Sequence, residues 1–167
     1  EDKEVRFFSD SFIGILDLYA AELGAPVVEP ILMEKTVKTA QGEVYVRVAA
    51  RVFEREKTKV VTFANNIYTP GGGTHETGFK SALLRTINKY GTDNKILKDT
   101  LTGEDVQEGL AAAVLVRVRD AKFEGQTKDK LGNREVQGAV QTVVYELLSK
   151  MFEENPKSAK DWLNRGV

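Results

Sequence analysis

The stretch ILMEKTVKTAQGEVYVRVAARVFER, Ile31 to Arg55, decides the fold that we expect. Gln41-Gly42 supplies turn residues between two extended runs, over 31–40 and 43–55, so the stretch predicts a β-hairpin. In the second run, apolar residues alternate with Tyr45, Arg47 and Arg51. Alternation places the two sets on opposite faces of a strand, so we expect one core face and one polar face. The expected core set is Val44, Val46, Val48, Ala50 and Val52.

Three main helices are predicted around this hairpin. The first runs from about Asp10 to Leu23 and is stopped by the glycine and proline that follow it. The second runs from about Glu76 to Tyr90, with a core stripe at Phe79, Leu83, Thr86, Ile87 and Tyr90. The longest runs from about Arg134 to Glu154, where Val136, Val140, Val143, Leu147 and Met151 recur at helical spacing.

The remaining elements complete an α+β chain. Short strands are expected over Lys59–Ala64 and, fully buried, over Ala111–Val118. The capping box of Thr102-Gly103-Glu104-Asp105 opens a short helix. Asn155-Pro156 ends the longest helix, and a last helix begins at Lys157 or Ser158. Loops join them over 65–75 and 119–133. The fold class is therefore α+β, a two-layer sandwich in which a mixed β-sheet is backed by helices.

Composition narrows the classes of protein. A length of 167 residues fits one domain, and 24 basic against 25 acidic residues give a net charge of −1. That balance excludes a strongly basic DNA-binding protein, although a local basic face remains possible. The absence of cysteine excludes disulfides and thiolate zinc sites and suits a cytoplasmic location. No apolar run approaches the roughly 20 residues that span a bilayer, so no membrane partner is expected. Because the chain starts without methionine, we expect it to be a piece of a longer protein.

The first candidate site is the glycine-rich segment Gly71–Ser81. Gly73 and Gly78 have the separation of a P-loop, but Phe79 stands where the lysine is required, which excludes a Walker A motif. A turn with glycines at positive φ is the simpler interpretation. His75 is the only histidine, so with no cysteine it cannot anchor an ordinary zinc site, and we expect a hydrogen-bonded structural role.

The second candidate is the loop Gly125–Asn133, GQTKDKLGN. The stretch from Arg117 to Arg134 contains six basic and three acidic residues, so it is locally positive. Such a loop is typical of a solvated surface turn. Equally, a lysine such as Lys128 can meet a terminal phosphate as a movable point charge, with Gln126 as a neutral donor beside it.

A third candidate is the helix face carrying Lys80, Arg85 and Lys89, which suits either a nucleic-acid backbone or plain solvent. The sequence contains no metal-binding carboxylate motif attached to a nucleotide pocket, and no arrangement typical of a Ser-His-Asp triad. No metal site is expected. These residues therefore do not assemble a complete catalytic site.

Taken together, the motifs resemble a known family. In order and spacing they are similar to the ATPase region of type IIA DNA topoisomerases, the family of DNA gyrase B and its topoisomerase IV equivalent, from about Val60 to Pro156. The residues before that match in pattern only. The segments that carry the resemblance are Phe63–Ile67, Gly72–His75, Gly78-Phe79, Leu83, Arg85, Asn88, Tyr90, Leu101–Leu110 and Lys122–Asn133.

The resemblance implies that residues 1–167 are a transducer domain, with residues from about 157 leading toward the cleavage region and the GHKL nucleotide-binding domain absent. It implies a fold like that of a ribosomal small-subunit protein and of GHMP kinases, with a left-handed βαβ crossover. The family's loop matching Gln126 and Lys128 contacts the γ-phosphate of ATP, which makes Lys128 the catalytic residue. The position of Arg85 faces the cavity through which DNA passes.

The resemblance also implies cofactors and partners. The complete enzyme would use ATP and Mg²⁺, held mainly by the absent domain, and this chain alone would be inactive and bind neither. Expected partners are the GHKL domain and cleavage region of the same chain, the gyrase A protein or its equivalent, DNA, and a second copy in the full enzyme. An alternative is a stand-alone nucleic-acid-binding module of the same fold, and another is a mismatch-repair or chaperone relative. The sequence does not separate gyrase from topoisomerase IV.

Overall fold

The computed structural model describes residues 30–53, 58–124 and 129–164. The predicted first helix, from about Asp10 to Leu23, lies outside these residues. The strands are β1 Ile31–Thr39, β2 Gly42–Val52, β3 Lys59–Ala64, β4 Ile67–Tyr68, β5 Gly72–Gly73, β6 Leu110–Val118, β7 Phe123–Glu124 and β8 Lys130–Leu131. The helices are α1 Thr74–Asp93, α2 Gly103–Gln107, α3 Arg134–Glu154 and α4 Pro156–Asn164.

The main sheet has five strands in the order β1-β2-β6-β3-β4. Its neighbours are antiparallel except β3 and β6, which are parallel and are joined through α1 and α2. The predicted hairpin is confirmed, with Val37 opposite Val44 beside the turn. The sheet is therefore mixed, because one crossover through the helical layer brings β6 back between β2 and β3.

The helical layer covers one face of this sheet and forms the main core with it. The predicted core set of β2 is buried, and so are Phe79, Leu83, Thr86 and Ile87 of α1. In α3 the first three predicted positions are buried, but Leu147 and Met151 are only partly buried. Leu148 and Phe152 take the core positions instead, because an ideal helical period of 3.6 residues moves the stripe around the helix.

The expectation of a polar second face on β2 is wrong. Arg47 is only 4% exposed, and Ala49 of the same strand and Phe53, which directly follows it, are also buried. These two pack with Ala111, Ala113 and Leu115 of β6 in a second apolar cluster. Alternation separates the two faces correctly, but Ala49 and Phe53 lie at odd-numbered positions like Arg47. They therefore make the face of Arg47 mostly apolar.

Several predicted boundaries shift. The segment 65–75 contains β4 and β5, and α1 begins at Thr74, so His75 belongs to a helix and not to a loop. The predicted capping box of α2 is confirmed, with the Thr102 side chain accepting from the Asp105 N–H. The last helix begins at Pro156, one or two residues before the predicted start at Lys157 or Ser158, as suits a proline in the first turn. Among the described helices, none is both long and apolar enough to cross a bilayer.

Helices α1 and α3 pack closely along their first turns. A Cβ on Gly78 of α1 would lie 2.6 Å from the Gln137 carbonyl oxygen and 3.2 Å from Cβ of Val140, both on α3. Only a residue without a side chain allows this approach. The two helices therefore behave as one layer, in which the position of α1 depends on that of α3.

Candidate functional site

In the chain, the charged loop Gly125–Asn133 follows β7 and includes β8, and these two strands form a small hairpin. Phe123 pairs with Leu131 and Glu124 with Lys130, so the hairpin base is fixed on both sides. Gln126 and Lys128 lie in residues 125–128, outside the described residues. The predicted polar loop over 119–133 is thus partly wrong, since it contains two strands and the fully buried Leu131.

Asn133 ties the two ends of this loop together. Its side-chain oxygen accepts from the Lys122 N–H at 2.6 Å, and its amide donates to the Asp120 carbonyl at 2.9 Å and to Glu135 Oε1 at 2.7 Å. The Gly132 N–H adds a bond to the Lys122 carbonyl at 2.7 Å. A buried amide with all these bonds made is a rigid anchor. Sequence reasoning missed it, because an asparagine just before a helix suggests a cap, and this one makes no side-chain cap.

The glycine-rich segment contains the strand with which β8 pairs. Gly72 and Gly73 form β5, which pairs in parallel with Lys130 and Leu131. The φ angles are 74° at Gly72 and 133° at Gly73, which confirms the predicted positive-φ turn. A Cβ on Gly73 would overlap the carbonyl oxygen of Leu131, so glycine is required there. The first two candidate segments are therefore one structure, in which β5 leads into α1 and β8 leads toward α3.

A cavity of about 240 Å³ opens where α3 begins, between the β1–β2 turn and the end of β6. The charged residues in its lining are Glu43, Arg119, Asp120, Lys122 and Glu135. Three carboxylates and two cations line it, so it shows no preference for an anion such as a phosphate.

His75 is a structural residue at the start of α1. It is fully buried, and its Nε2 lies 2.9 Å from the Thr69 hydroxyl, which is 2.7 Å from the Thr62 hydroxyl. The Thr62 hydroxyl donates to the Thr69 carbonyl, so the Thr69 hydroxyl donates to Thr62 and accepts from His75. This pattern places the imidazole proton on Nε2. Burial lowers the pKa of His75 to about 4, so the ring is neutral. The described residues contain no cluster of three or more potential metal ligands.

Burial of His75 predicts a loss of stability in mild acid. The folded pKa of about 4 lies below the usual 6.5, so between these values the unfolded chain binds more protons. The contribution of neutral His75 to the free energy of unfolding is fully present above pH 6.5. It falls as the pH drops through this window, by about 2 kcal/mol at pH 5. Urea unfolding at pH 7 and pH 5 measures it.

His75→Gln is the matched control, because an amide can still donate to Thr69 but does not titrate. Since the chain has one histidine, the variant should lose most of the change in stability between pH 7 and pH 5. The same pH dependence in both proteins would show that His75 is not the group responsible.

The third candidate face lies elsewhere, on the outer surface of α1. Lys80 pairs with Glu76 and Lys89 with Asp93, each at 3.0 Å and one turn away. Arg85 is exposed. It lies 11 residues after Thr74, which is about 16 Å along the helix axis at 1.5 Å per residue. The structure therefore does not bring Arg85 to the loop base, and the candidate residues form two separate sites.

Comparison with known proteins decides the family. The sequence model of DNA gyrase B matches residues 14–167. The chain belongs to the DNA gyrase B family. The gyrase B protein of Mycobacterium tuberculosis is 55% identical over 111 residues, which are 65% of this chain and 16% of that protein. The gyrase B protein of Streptomyces coelicolor is 40% identical over all of this chain and 25% of its own length. The chain thus spans about a quarter or less of these gyrase B relatives.

Solved structures of gyrase B relatives share the fold. The 43K ATPase domain of Thermus thermophilus gyrase B, in complex with an aminocoumarin, has a TM-score of 0.79 at 36% identity, covering 92% of this chain and 42% of that one. The ATP-binding domain of Francisella tularensis topoisomerase IV, in complex with a small-molecule inhibitor, has a TM-score of 0.72 at 28% identity, covering 92% and 41%. The expected mixed sheet backed by helices is confirmed for this gyrase B family chain.

Proposed function

We propose that residues 1–167 are the transducer domain of a gyrase B-type DNA topoisomerase. In this proposal, the loop containing Lys128 contacts the γ-phosphate of ATP in the GHKL nucleotide-binding domain, and the domain relays the nucleotide state to DNA strand passage. The single observation that carries the proposal is the anchored base of the β7–β8 hairpin, which leads into the longest helix within three residues. ATP and Mg²⁺ belong to the complete enzyme in the cytoplasm, bound mainly by the GHKL domain.

A lysine in the segment that joins β7 to β8 suits the proposed contact with a phosphate on another domain. The hydrogen bonds at Asn133, Gly71 and Gly132 hold the base of this hairpin against the rest of the domain. Lys128 distinguishes ATP from ADP because its contact is with the phosphate that hydrolysis removes. It also stabilises charge that develops in the transition state, with Gln126 as a second donor.

The relay follows from the chain path after the loop. Leu131 is fully buried and Asn133 immediately precedes α3, so a displacement of the loop base acts on the start of that helix. At 1.5 Å per residue, α3 carries this displacement over about 30 Å to the turn at Asn155. Residues from about 157 would continue toward the cleavage region, in a hinge-and-lever arrangement.

An apolar edge beside the loop base suits the proposed contact with the GHKL domain. In the part of the chain that the structure describes, Ile67 and Tyr68 are the large hydrophobic residues that stand exposed, at 37% and 55%. They form β4, and Gly71, three residues later, donates its N–H to the Asp129 carbonyl at 2.8 Å. Exposed apolar residues beside a charged loop are typical of a surface that contacts another domain.

In the complete enzyme the other proposed partners are the cleavage region of the same chain, the gyrase A protein or its equivalent, a second copy of this chain, and DNA. The proposed DNA contact is Arg85, whose exposed guanidinium provides several N–H donors to a phosphate. The surface of α1 that carries it is separate from the loop base.

Arg85→Glu tests the DNA part of the proposal. In the complete enzyme the variant should lose most of the DNA-stimulated ATP hydrolysis, because a carboxylate repels the phosphate backbone. Basal hydrolysis without DNA should change less than two-fold, since Arg85 lies far from the loop base. Steady-state ATPase assays with and without DNA measure both rates. Equal losses of the two rates, or no loss of either, would contradict a DNA contact at Arg85, and Arg85→Gln separates loss of charge from reversal.

A further inference from the structure

Tyr145 of α3 is the side chain on which Arg85 of α1 rests. The Cζ atom of Arg85 lies 4.8 Å from the centre of the Tyr145 ring, within the range of a cation–π contact. Tyr145 is partly buried, whereas Arg85 is exposed. The contact joins the two long helices on the outer surface of the helical layer.

The position of this contact follows from how the two helices begin. Parallel pairing of β5 with β8 starts α1 and α3 side by side, and they touch at Gly78 and Gln137. Arg85 and Tyr145 are each 11 residues after the first residue of their helix. Because both helices rise by the same distance per residue, Arg85 and Tyr145 lie at the same height along the helix pair. Their contact is therefore a consequence of the paired helix starts.

Arg85 differs from the other basic residues on its face. Lys80 and Lys89 are each held by a carboxylate at 3.0 Å. Within 30–53, 58–124 and 129–164, Arg85 forms no ion pair, and its side chain contacts the ring of Tyr145 instead. A ring on one side of the guanidinium does not use up its N–H donors as a carboxylate does, so they remain available for a phosphate.

The surface beyond Tyr145 turns acidic. A groove of about 460 Å³ between α1 and α3 is lined by Tyr145 and Lys89, and also by Asp93, Glu146 and Glu153. Asp93 is paired with Lys89 at 3.0 Å and Glu146 with Lys35 of β1 at 2.8 Å, so Glu153 is the lining carboxylate without an ion pair among the described residues. The groove therefore offers a phosphate no cation that is free of a carboxylate, in contrast to Arg85.

We propose that Tyr145 is a positioning residue for the DNA contact of Arg85. Its ring holds the guanidinium against α3, so that a DNA phosphate meets donors that are already oriented and less side-chain entropy is lost on binding. The placement of Arg85 then depends on α3, the helix that follows the loop of Lys128. This inference rests on the proposed function of Arg85 and adds a residue on α3 to it.

The test compares Tyr145→Leu with Tyr145→Phe in the complete enzyme. Leucine keeps apolar bulk and removes the ring, whereas phenylalanine keeps the ring and removes the hydroxyl. With Tyr145→Leu, the DNA-stimulated part of ATP hydrolysis should fall about three-fold, as expected for an exposed cation–π contact. DNA binding should weaken by a similar factor, and basal hydrolysis should be unchanged. Tyr145→Phe should behave like the unaltered enzyme in all three measurements.

The outcomes separate this inference from the proposed function. If Tyr145→Leu retains full DNA stimulation while Arg85→Glu loses it, Tyr145 does not position Arg85, but the DNA contact stands. If Arg85→Glu also retains it, the DNA contact itself is wrong. Equal losses with leucine and phenylalanine, or an equal loss of basal hydrolysis, would overturn the stacking account, because neither follows from the ring face.

Discussion

Lys128→Ala in the complete enzyme should lower the rate of ATP hydrolysis about 100- to 1,000-fold, as removal of one preorganised donor to transition-state charge does. Lys128 belongs to the segment that joins β7 to β8, and the base of that hairpin is braced by Asn133 and by pairing with Gly72 and Gly73. If the proposed contact is made from this braced base, we expect no neighbouring residue to compensate for the loss of the lysine. Steady-state hydrolysis at saturating ATP measures the effect on turnover, and nucleotide binding measures the effect on affinity.

Lys130→Ala is the matched control. Lys130 is two residues further along, half-exposed, and paired with Glu124 at 3.4 Å, so removing it should change the rate less than two-fold. An unchanged rate in Lys128→Ala would show that the loop does not reach the phosphate. The proposed division between domains also requires no turnover by this chain alone. Hydrolysis by the purified chain that disappears in Lys128→Ala would place a whole active site here and contradict that division.

Gly78→Ala should destabilise the domain by about 3 kcal/mol, at the upper end for overpacking. The new methyl group would lie 2.6 Å from a backbone carbonyl of α3, which cannot move as a side-chain end can. Helices α1 and α3 must therefore separate or shift, and the melting temperature should fall by about 6–12 °C for a chain of this size. Thermal unfolding followed by circular dichroism measures it.

Gly138→Ala makes the same chemical change, but it should not destabilise the domain. Gly138 is exposed on α3, and a Cβ there would meet nothing within 4 Å. Alanine is favoured over glycine in a helix by up to about 1 kcal/mol, so this variant should be as stable as the original or slightly more so. Similar losses in both variants would mean that the effect comes from helix backbone propensity and not from the contact between the helices.

Local sequence patterns predicted the elements well. The bounds of α3 match the prediction at both ends, because a strong apolar period begins at Val136 and Asn155-Pro156 terminates the helix. The hairpin of β1 and β2 is also as predicted, since Gln41-Gly42 and the alternation that follows are local signals. The capping box at Thr102 is a third case in which four adjacent residues contain the whole signal.

What the sequence did not predict depends on contacts between distant residues. Nothing local to Gly72 and Gly73 indicates that they pair with Lys130 and Leu131. Burial of Arg47 likewise depends on the neighbouring strand β6, whose alanines make the second face of the sheet apolar. The roles of Gln126, Lys128 and Arg85 stay predictions from the motifs, whereas the hydrogen bonds of Asn133 and the ring beside Arg85 needed the structure.

The pairing of β5 with β8 also bears on the order in which the domain folds. It joins segments about 60 residues apart, and the chain between them includes α1, α2 and β6. Closing so long a loop costs entropy that β5 and β8, two residues each, cannot repay alone. We therefore expect the pairing of β5 with β8 to form late, after the sheet and the first long helix are in place. Under the proposed function, a nascent or partly unfolded copy would then lack the braced hairpin base, and ATP turnover would depend on the completion of folding.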